Sequence, residues 1–187
     1  MVRIAEEADI PACLAIYADY VRDSTVSFEY EAPAVEEFRR RFHSVMEGFP
    51  WLVCEVEGKI AGYAYASLKF ARAAYQWDAD LSIYLSPDFQ GRGVGRRLCT
   101  AICSLLQAQG YRTLYAVITA ENERSLVFHR AMGFAEIGRF PESGYKFGRW
   151  LDVVWMERKL APLAGGRPKP PKKFSELDGG FVESVLQ

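Results

Sequence analysis

Three glycines lie at every second position in the stretch Gln90–Gly95, which reads QGRGVG. They follow an apolar stretch, Leu81–Leu85, which Ser86 and Pro87 bring to an end, and a helical pattern follows them. Since glycine has no Cβ atom, such a loop turns tightly and brings its N–H groups close to a ligand. The helix start adds free N–H groups and the positive end of a dipole. The stretch therefore predicts an anion site suited to the pyrophosphate of a cofactor.

The glycine spacing excludes two other phosphate-binding loops. A P-loop ends in Gly-Lys-Ser/Thr, which does not follow Gly95, and a Rossmann loop reads G-x-G-x-x-G rather than the G-x-G-x-G found here. The predicted cofactor-binding loop consists of Gln90, Gly91, Arg92, Gly93, Val94, Gly95 and the following Arg96.

Composition limits the class of protein. The chain has 187 residues, half of them hydrophobic, and a net charge of −1, which indicates one soluble domain and gives no electrostatic reason to expect nucleic acid as a partner. No apolar run approaches the roughly 20 residues that span a bilayer, and the start of the chain does not read as a signal peptide. We therefore expect no membrane partner and a cytoplasmic location.

The four cysteines, Cys13, Cys54, Cys99 and Cys103, lack the C-x-x-C spacing of a zinc site. Cys99 and Cys103 are four residues apart in the predicted helix after the glycine loop, so they could supply two metal ligands. We favour the alternative that they pack as small apolar groups, and predict neither a metal nor a structural disulfide.

Hydrophobic periodicity predicts an α/β fold, with a mixed, largely antiparallel central sheet flanked by helices. Residues 1–160 form the predicted domain, with a polar loop between two final strands, Ala135–Phe140 and Leu151–Lys159. Residues 161–187 form a Pro/Gly/Lys-containing tail, whose composition predicts flexibility. Phe181–Leu186 could instead fold back onto the domain or onto a neighbouring molecule, and the sequence does not decide between these alternatives.

A second motif, residues 122–134, reads NERSLVFHRAMGF. With the glycine loop it resembles the two signatures of the GNAT acyltransferase superfamily, Q/R-x-x-G-x-G/A and N-x-x-S/A followed by F/Y-x-x-x-G-F. Within this superfamily, residues 2–160 more closely resemble the phosphinothricin and methionine sulfoximine N-acetyltransferases. Residues 71–77 (ARAAYQW) and 144–153 (GYKFGRWLDV) also carry this closer resemblance.

The resemblance implies a GNAT-type fold and acetyl-CoA as cosubstrate. It places Asn122 and Ser125 at the start of a helix that contacts coenzyme A. It also implies that backbone groups of Ile83, Tyr84 and Leu85 pair with the pantetheine arm, and that one of these N–H groups polarises the thioester carbonyl.

The resemblance assigns two catalytic candidates, Asp80 and His129. Asp80 stands where the family carries a glutamate proposed as general base, and its side chain is one methylene shorter, so we expect a bridging water. Alternatively, Asp80 is an ordinary solvent-facing strand residue. His129 replaces the tyrosine that many superfamily members use to protonate the leaving thiolate. It could serve as acid, base or thiol contact.

Arg72 and Tyr75 are the substrate-binding candidates, because a guanidinium matches a substrate carboxylate. We therefore predict an N-acetyltransferase for a small amino acid or analogue, acting by direct transfer in a ternary complex, with a homodimer implied by the resemblance. The alternatives are another amine (a polyamine, an aminoglycoside or a protein N-terminus) or a non-catalytic acyl-CoA sensor.

Overall fold

The computed structural model describes residues 1–162, 165–166 and 168–187. The strands are β1 (Val2–Ile4), β2 (Trp51–Val56), β3 (Lys59–Leu68), β4 (Asp78–Leu85), β5 (Thr113–Thr119), β6 (Ala135–Lys146) and β7 (Arg149–Lys159). The helices are α1 (Ile10–Asp23), α2 (Val35–Met46), α3 (Val94–Gln109), α4 (Glu123–Ala131) and α5 (Gly179–Leu186). None of the helices in this described part of the chain is long and apolar enough to cross a membrane.

The strands form one sheet in the order β1-β2-β3-β4-β5-β7-β6. All neighbouring strands are antiparallel except β4 and β5, which are parallel. This topology confirms the predicted mixed, largely antiparallel sheet. The single parallel pair matters most for the site, because β4 leads directly into the glycine loop.

Two apolar clusters cover the sheet, one on each face. On one face α3 buries Leu98, Ile102 and Leu105 completely, at the spacing of a helix with one apolar stripe. On the other face α1 and α2 cover an aromatic group that includes Trp51 and Tyr63, whose rings stack 5.5 Å apart. The two clusters hold β4 from both sides.

The predicted polar loop between the last two strands is wrong. The strands continue through it and pair as far as Lys146 and Arg149, joined by a two-residue turn at Phe147 and Gly148 with φ of 51° and 78°. The register shifts between Phe140 and Gly144, which accommodates the intervening proline in an edge strand. Proline, glycine and polar residues thus gave a loop-like pattern to a bulged strand.

The end of the chain is folded onto the domain from residue 168. Helix α5 packs against α3, and Val182 and Val185 contact the cluster on that face. The Lys169 carbonyl accepts a hydrogen bond of 2.8 Å from the Trp77 indole, next to the start of β4. This packing agrees with the alternative that residues 181–186 fold back, while the flexibility of the tail stays a prediction. Residues 163, 164 and 167 of that tail lie outside the described residues.

Candidate active site

A cavity of about 360 Å³ opens at the end of β4, between the glycine loop, the start of α3 and α4. Ten of the predicted cofactor-binding residues line it, namely Ile83, Leu85, Gln90, Gly91, Gly93, Val94, Gly95, Arg96, Asn122 and Ser125. Two others lie elsewhere. The Arg92 guanidinium stands 5.3 Å from the centroid of the Phe89 ring, and Tyr84 lines a second cavity. We call the first space the donor cavity.

The glycine loop has the backbone that only glycine adopts readily. Gly91 and Gly93 both have φ of 78°, and Gly93 caps the N-terminus of α3. Gly95 serves close packing instead, because a Cβ there would lie 3.3 Å from the Phe128 ring and 3.4 Å from the Leu85 side chain. The loop therefore directs the first N–H groups of α3 toward the donor cavity.

The gap beside β4 exposes main-chain groups. The pairing of β4 with β5 ends at Asp80, while β4 stays paired with β3, and the Ser86 N–H donates to the Ala61 carbonyl at 3.0 Å. Since alternate residues of a strand direct their polar groups to opposite edges, the Tyr84 main chain faces β3, and those of Ile83 and Leu85 face the gap. The geometry thus favours Ile83 and Leu85 for pairing with an extended ligand.

Tyr20 of α1 is a residue of the donor cavity that the sequence reasoning missed. Its hydroxyl donates to the Leu85 carbonyl at 2.7 Å and accepts from the Gln90 amide at 3.1 Å. Gln90 in turn accepts from Arg124 of α4, which also lines the cavity. This chain of hydrogen bonds fixes the glycine loop relative to β4, α1 and α4.

Asn122, Ser125 and His129 meet at the first turns of α4. The Asn122 side chain accepts from the Ser125 N–H at 3.1 Å, which confirms it as an N-cap. The Ser125 carbonyl lies 2.8 Å from His129 Nδ1 and can only accept, so Nδ1 carries the proton and Nε2 the lone pair. Burial lowers the pKa of the His129 imidazole, and the hydrogen bond to Ser125 opposes that fall. Neutral His129 is therefore better suited as an acceptor or base than as an acid.

A second cavity, of about 380 Å³, lies on the other side of β4. Its walls are Tyr17 of α1, Tyr84 of β4, residues 25–29 and side chains of β5 and β7. Lys146 is almost completely buried, and its ammonium donates to the Val21 and Ser27 carbonyls at 2.7 and 2.6 Å. These hydrogen bonds fix the segment of residues 25–29 that lines the cavity. We call this space the acceptor cavity.

Asp80 lies on the same face of β4 as Tyr84, and 32% of its side chain is exposed. Its carboxylate Oδ1 is 3.1 Å from Lys69 Nζ, a contact that the sequence did not suggest. Burial raises the pKa of the Asp80 carboxyl, and Lys69 opposes that rise. Among the described residues, no His, Cys, Asp or Glu side chains are grouped as a metal site requires.

Arg72 and Tyr75 lie outside both cavities. Arg72 is exposed, and Tyr75 packs its ring 4.8 Å from that of Phe70. Phe70 in turn stacks 6.5 Å from Trp155, whose ring contacts Lys69. The predicted substrate-binding loop is thus placed beside the Asp80 ion pair, which no local sequence pattern revealed.

An acyltransferase class fits this combination of splayed strands, glycine loop and two facing cavities. The Acetyltransferase (GNAT) domain family matches residues 2–155 of the chain. The chain is 42% identical to a phosphinothricin N-acetyltransferase of Alcaligenes faecalis over 161 residues, 85% of this chain and 82% of that one. It is 34% identical to a methionine sulfoximine/methionine sulfone acetyltransferase of Pseudomonas aeruginosa, over 86% of this chain and 95% of that one.

Among solved structures, a phosphinothricin acetyltransferase of Sinorhizobium meliloti in complex with acetyl-CoA superposes with a TM-score of 0.86. It is 35% identical, over 90% of this chain and 92% of that one. The chain therefore belongs to the GNAT acetyltransferase family, as its two motifs predicted. The predicted roles of individual residues remain predictions.

Proposed function

We propose that this protein is an acetyl-CoA-dependent N-acetyltransferase for small amino acids or analogues of the phosphinothricin, methionine sulfoximine or methionine sulfone type. The observation that carries the proposal is the position of β4 between two cavities. Ile83 and Leu85 line the donor cavity, and Tyr84 between them lines the acceptor cavity. A thioester in the first and an amine in the second would meet in the gap between β4 and β5, where the pairing of these two strands has ended.

The donor cavity suits the pyrophosphate and pantetheine arm of acetyl-CoA in its chemistry. Its volume lies within the range of roughly 300–1,000 Å³ that is typical of small-molecule sites. The glycine loop and the start of α3 supply N–H donors for a pyrophosphate, and Arg96 and Arg124 supply positive charge. The N–H groups of Ile83 and Leu85 are available for the pantetheine arm and for the thioester carbonyl.

The reaction is a direct transfer in a ternary complex. The neutral amine attacks the thioester carbon, a C–N bond forms, and the C–S bond breaks to release coenzyme A. One proton leaves the amine nitrogen, and one is needed at sulfur if coenzyme A departs as a thiol. The four cysteines, which could serve as acyl carriers in a ping-pong route, are all buried, and Cys99 and Cys103 lie on the buried face of α3.

Asp80 is the base that we assign to the amine proton. It lies four residues from Tyr84 along an extended strand, a distance of about 13 Å. Because direct proton transfer requires about 3 Å between heavy atoms, a water relay past Ser82 and Tyr84 connects Asp80 to the amine. Coenzyme A leaves as a thiolate and takes its proton from solvent. His129, which lines the donor cavity and is neutral with its lone pair on Nε2, is then assigned as the hydrogen-bond acceptor for the resulting thiol.

A homodimer is part of the proposal. Large apolar side chains stand exposed on the β6/β7 hairpin, namely Ile137, Phe140, Tyr145, Phe147 and Trp150. A cluster of this kind on a soluble domain marks a contact surface. The same hairpin carries Lys146, whose hydrogen bond to Ser27 fixes a wall of the acceptor cavity. Dimerisation through this hairpin would therefore affect the shape of that cavity. Sedimentation equilibrium of the protein and of Trp150→Glu tests this: a dimer that the substitution dissociates is expected.

We further place the protein in the cytoplasm, where its four free cysteines would stay reduced. Acetylation of the amino group would remove the ammonium of an amino-acid analogue. Resistance to such compounds is the expected consequence in a cell that makes the protein.

The test is release of free thiol from acetyl-CoA over a panel of amines. The panel contains phosphinothricin, methionine sulfoximine, methionine sulfone, common amino acids, spermidine, an aminoglycoside and an alanine-starting peptide. Saturable turnover confined to the amino-acid group is expected. Turnover only on spermidine, the aminoglycoside or the peptide contradicts the substrate class, and acetyl-CoA binding without any turnover favours the sensor.

A further inference from the structure

Lys69 is a charged residue in an unusually enclosed place. It follows the last residue of β3, and only 8% of its side chain is exposed. Lysines are almost never buried to this extent unless their ammonium is paired, because removing a charge from water is costly. The contacts of the Lys69 ammonium therefore indicate its function.

The Lys69 ammonium has two partners from two other strands. Nζ lies 3.1 Å from Asp80 Oδ1 of β4, and 4.0 Å from the centroid of the Trp155 ring of β7. Trp155 is itself held by Phe140, at 5.5 Å between ring centroids, and by Phe70 at 6.5 Å. The ammonium of this ion pair is thus held against an aromatic ring, whereas the side chains of an exposed surface pair move freely.

The contact fixes one oxygen of the Asp80 carboxylate. Lys69 engages Oδ1, and within the described residues no hydrogen bond is made to Oδ2. The charge of this carboxylate in turn contributes to the raised pKa of the phenols of Tyr65 on β3 and Tyr84 on β4, after their burial. Lys69 therefore supplies the positive charge that offsets the burial of Asp80.

We propose that Lys69 is a positioning residue, which holds the short Asp80 side chain in one orientation and in its ionised form, with Oδ2 left to accept the proton. The proposal rests on the function proposed above, in which Asp80 is the base. It explains how an aspartate serves where the resembled family carries a longer glutamate. The aromatic enclosure through Phe70 also joins this pair to the Arg72–Tyr75 loop.

The first experiment compares Lys69→Met and Lys69→Arg with Lys59→Met, a control at an exposed lysine of the β2/β3 hairpin. Lys69→Met should lower kcat/KM by about tenfold or more, and should move the acid limb of its pH profile up by about one pH unit. Lys69→Arg should keep most of the wild-type kcat/KM and nearly the wild-type pH profile, since arginine keeps the charge and can stack on Trp155. An unchanged pH profile in Lys69→Met would overturn the proposal.

A double variant separates a role through Asp80 from a structural one. If Lys69 acts through Asp80, Lys69→Met should have no further effect on kcat/KM in the Asp80→Asn background. If the two effects multiply, Lys69 acts independently and the proposal is wrong. Circular dichroism and melting of each variant control for misfolding.

A titration without turnover keeps the two proposals distinguishable. The Asp80 carboxyl is followed by ¹³C NMR in protein labelled at aspartate, and is assigned by its loss in Asp80→Asn. We expect it to titrate at higher pH in Lys69→Met than in the wild type. An identical titration in the two proteins overturns the role of Lys69, whether or not any amine is acetylated. A panel on which no amine is acetylated contradicts only the proposed function.

Discussion

The donor and acceptor cavities are built in different ways, although they share β4. The donor cavity is formed mostly by one continuous stretch, residues 83–96, and by backbone groups and glycines. The acceptor side brings together residues 25–29, Lys69, Asp80 and Trp155, which are far apart in the chain. One side depends on backbone conformation, the other on the packing of side chains.

This difference determines how each side responds to change. A site made of N–H groups tolerates exchange of its side chains but is sensitive to backbone strain. A site made of a carboxylate and its partners is sensitive to loss of one functional group. Variants on the two sides should therefore affect different kinetic constants.

The largest expected effect is on the acceptor side. Asp80→Asn removes the proposed base and should lower kcat by about 100-fold or more, because a positioned base typically contributes that much. The affinity for acetyl-CoA, measured by calorimetry, should not change. The matched control is Asp78→Asn, two residues earlier on the same face of β4. A large loss of acetyl-CoA affinity in Asp80→Asn would show that the two sides are not separable.

Backbone strain in the glycine loop should have the next largest effect. Gly93→Ala places a Cβ at φ of 78°, at a cost of roughly 1–2 kcal/mol, and should weaken acetyl-CoA binding by about tenfold. Gly58→Ala is the control, since Gly58 has φ of 72° in open space in the β2/β3 hairpin and lines neither cavity. Both variants should lose stability, but only Gly93→Ala should lose affinity. Equal affinities would contradict the assignment of the loop.

A smaller effect is expected from the Tyr20 hydroxyl. Tyr20→Phe removes its hydrogen bonds to Leu85 and Gln90, each worth about 0.5–1.5 kcal/mol. The KM for acetyl-CoA should rise several-fold, while the KM for the amine stays the same. Tyr30→Phe is the control, because Tyr30 also donates to a backbone carbonyl but is mostly exposed. A change confined to the amine KM would place Tyr20 on the acceptor side instead.

The smallest effect concerns pH and His129. Since burial lowers the pKa of His129 in the folded state, the unfolded chain binds its proton more readily. The neutral histidine therefore favours folding at pH above the unfolded pKa of about 6.5, and that contribution is lost as pH falls. His129→Gln should show a smaller fall in Tm between pH 7.5 and 5 than the wild type. The control is His43→Gln, at an exposed histidine, whose fall in Tm should equal that of the wild type. An equal fall in Tm for the wild type, His129→Gln and His43→Gln would contradict this role of burial.

The sequence predicted the donor side well, because its chemistry is local. Strand, glycines and helix start are consecutive, and Asn122 caps α4 as its motif predicts. The acceptor side was predicted less completely. Arg72 and Tyr75 were named, but their position beside Asp80 depends on Phe70 and on the distant Trp155.

Tyr20, Lys69 and Lys146 had no signal of their own, because each acts through contacts with residues far away in the chain. The GYKFGRWLDV block carries part of the closer resemblance, but the contacts of its lysine are visible only in the packed structure. The bulged β6 was missed for a related reason: local polar and proline residues outweigh the pairing that β7 imposes.

The central claim is that thioester and amine meet in the gap between β4 and β5 in one ternary complex. Initial rates measured with acetyl-CoA and an accepted amine, each at several fixed concentrations of the other, test this directly. The account predicts intersecting lines in double-reciprocal plots, together with no acetylated enzyme when the amine is left out. Parallel lines, with an acetyl group retained on the protein, would contradict it.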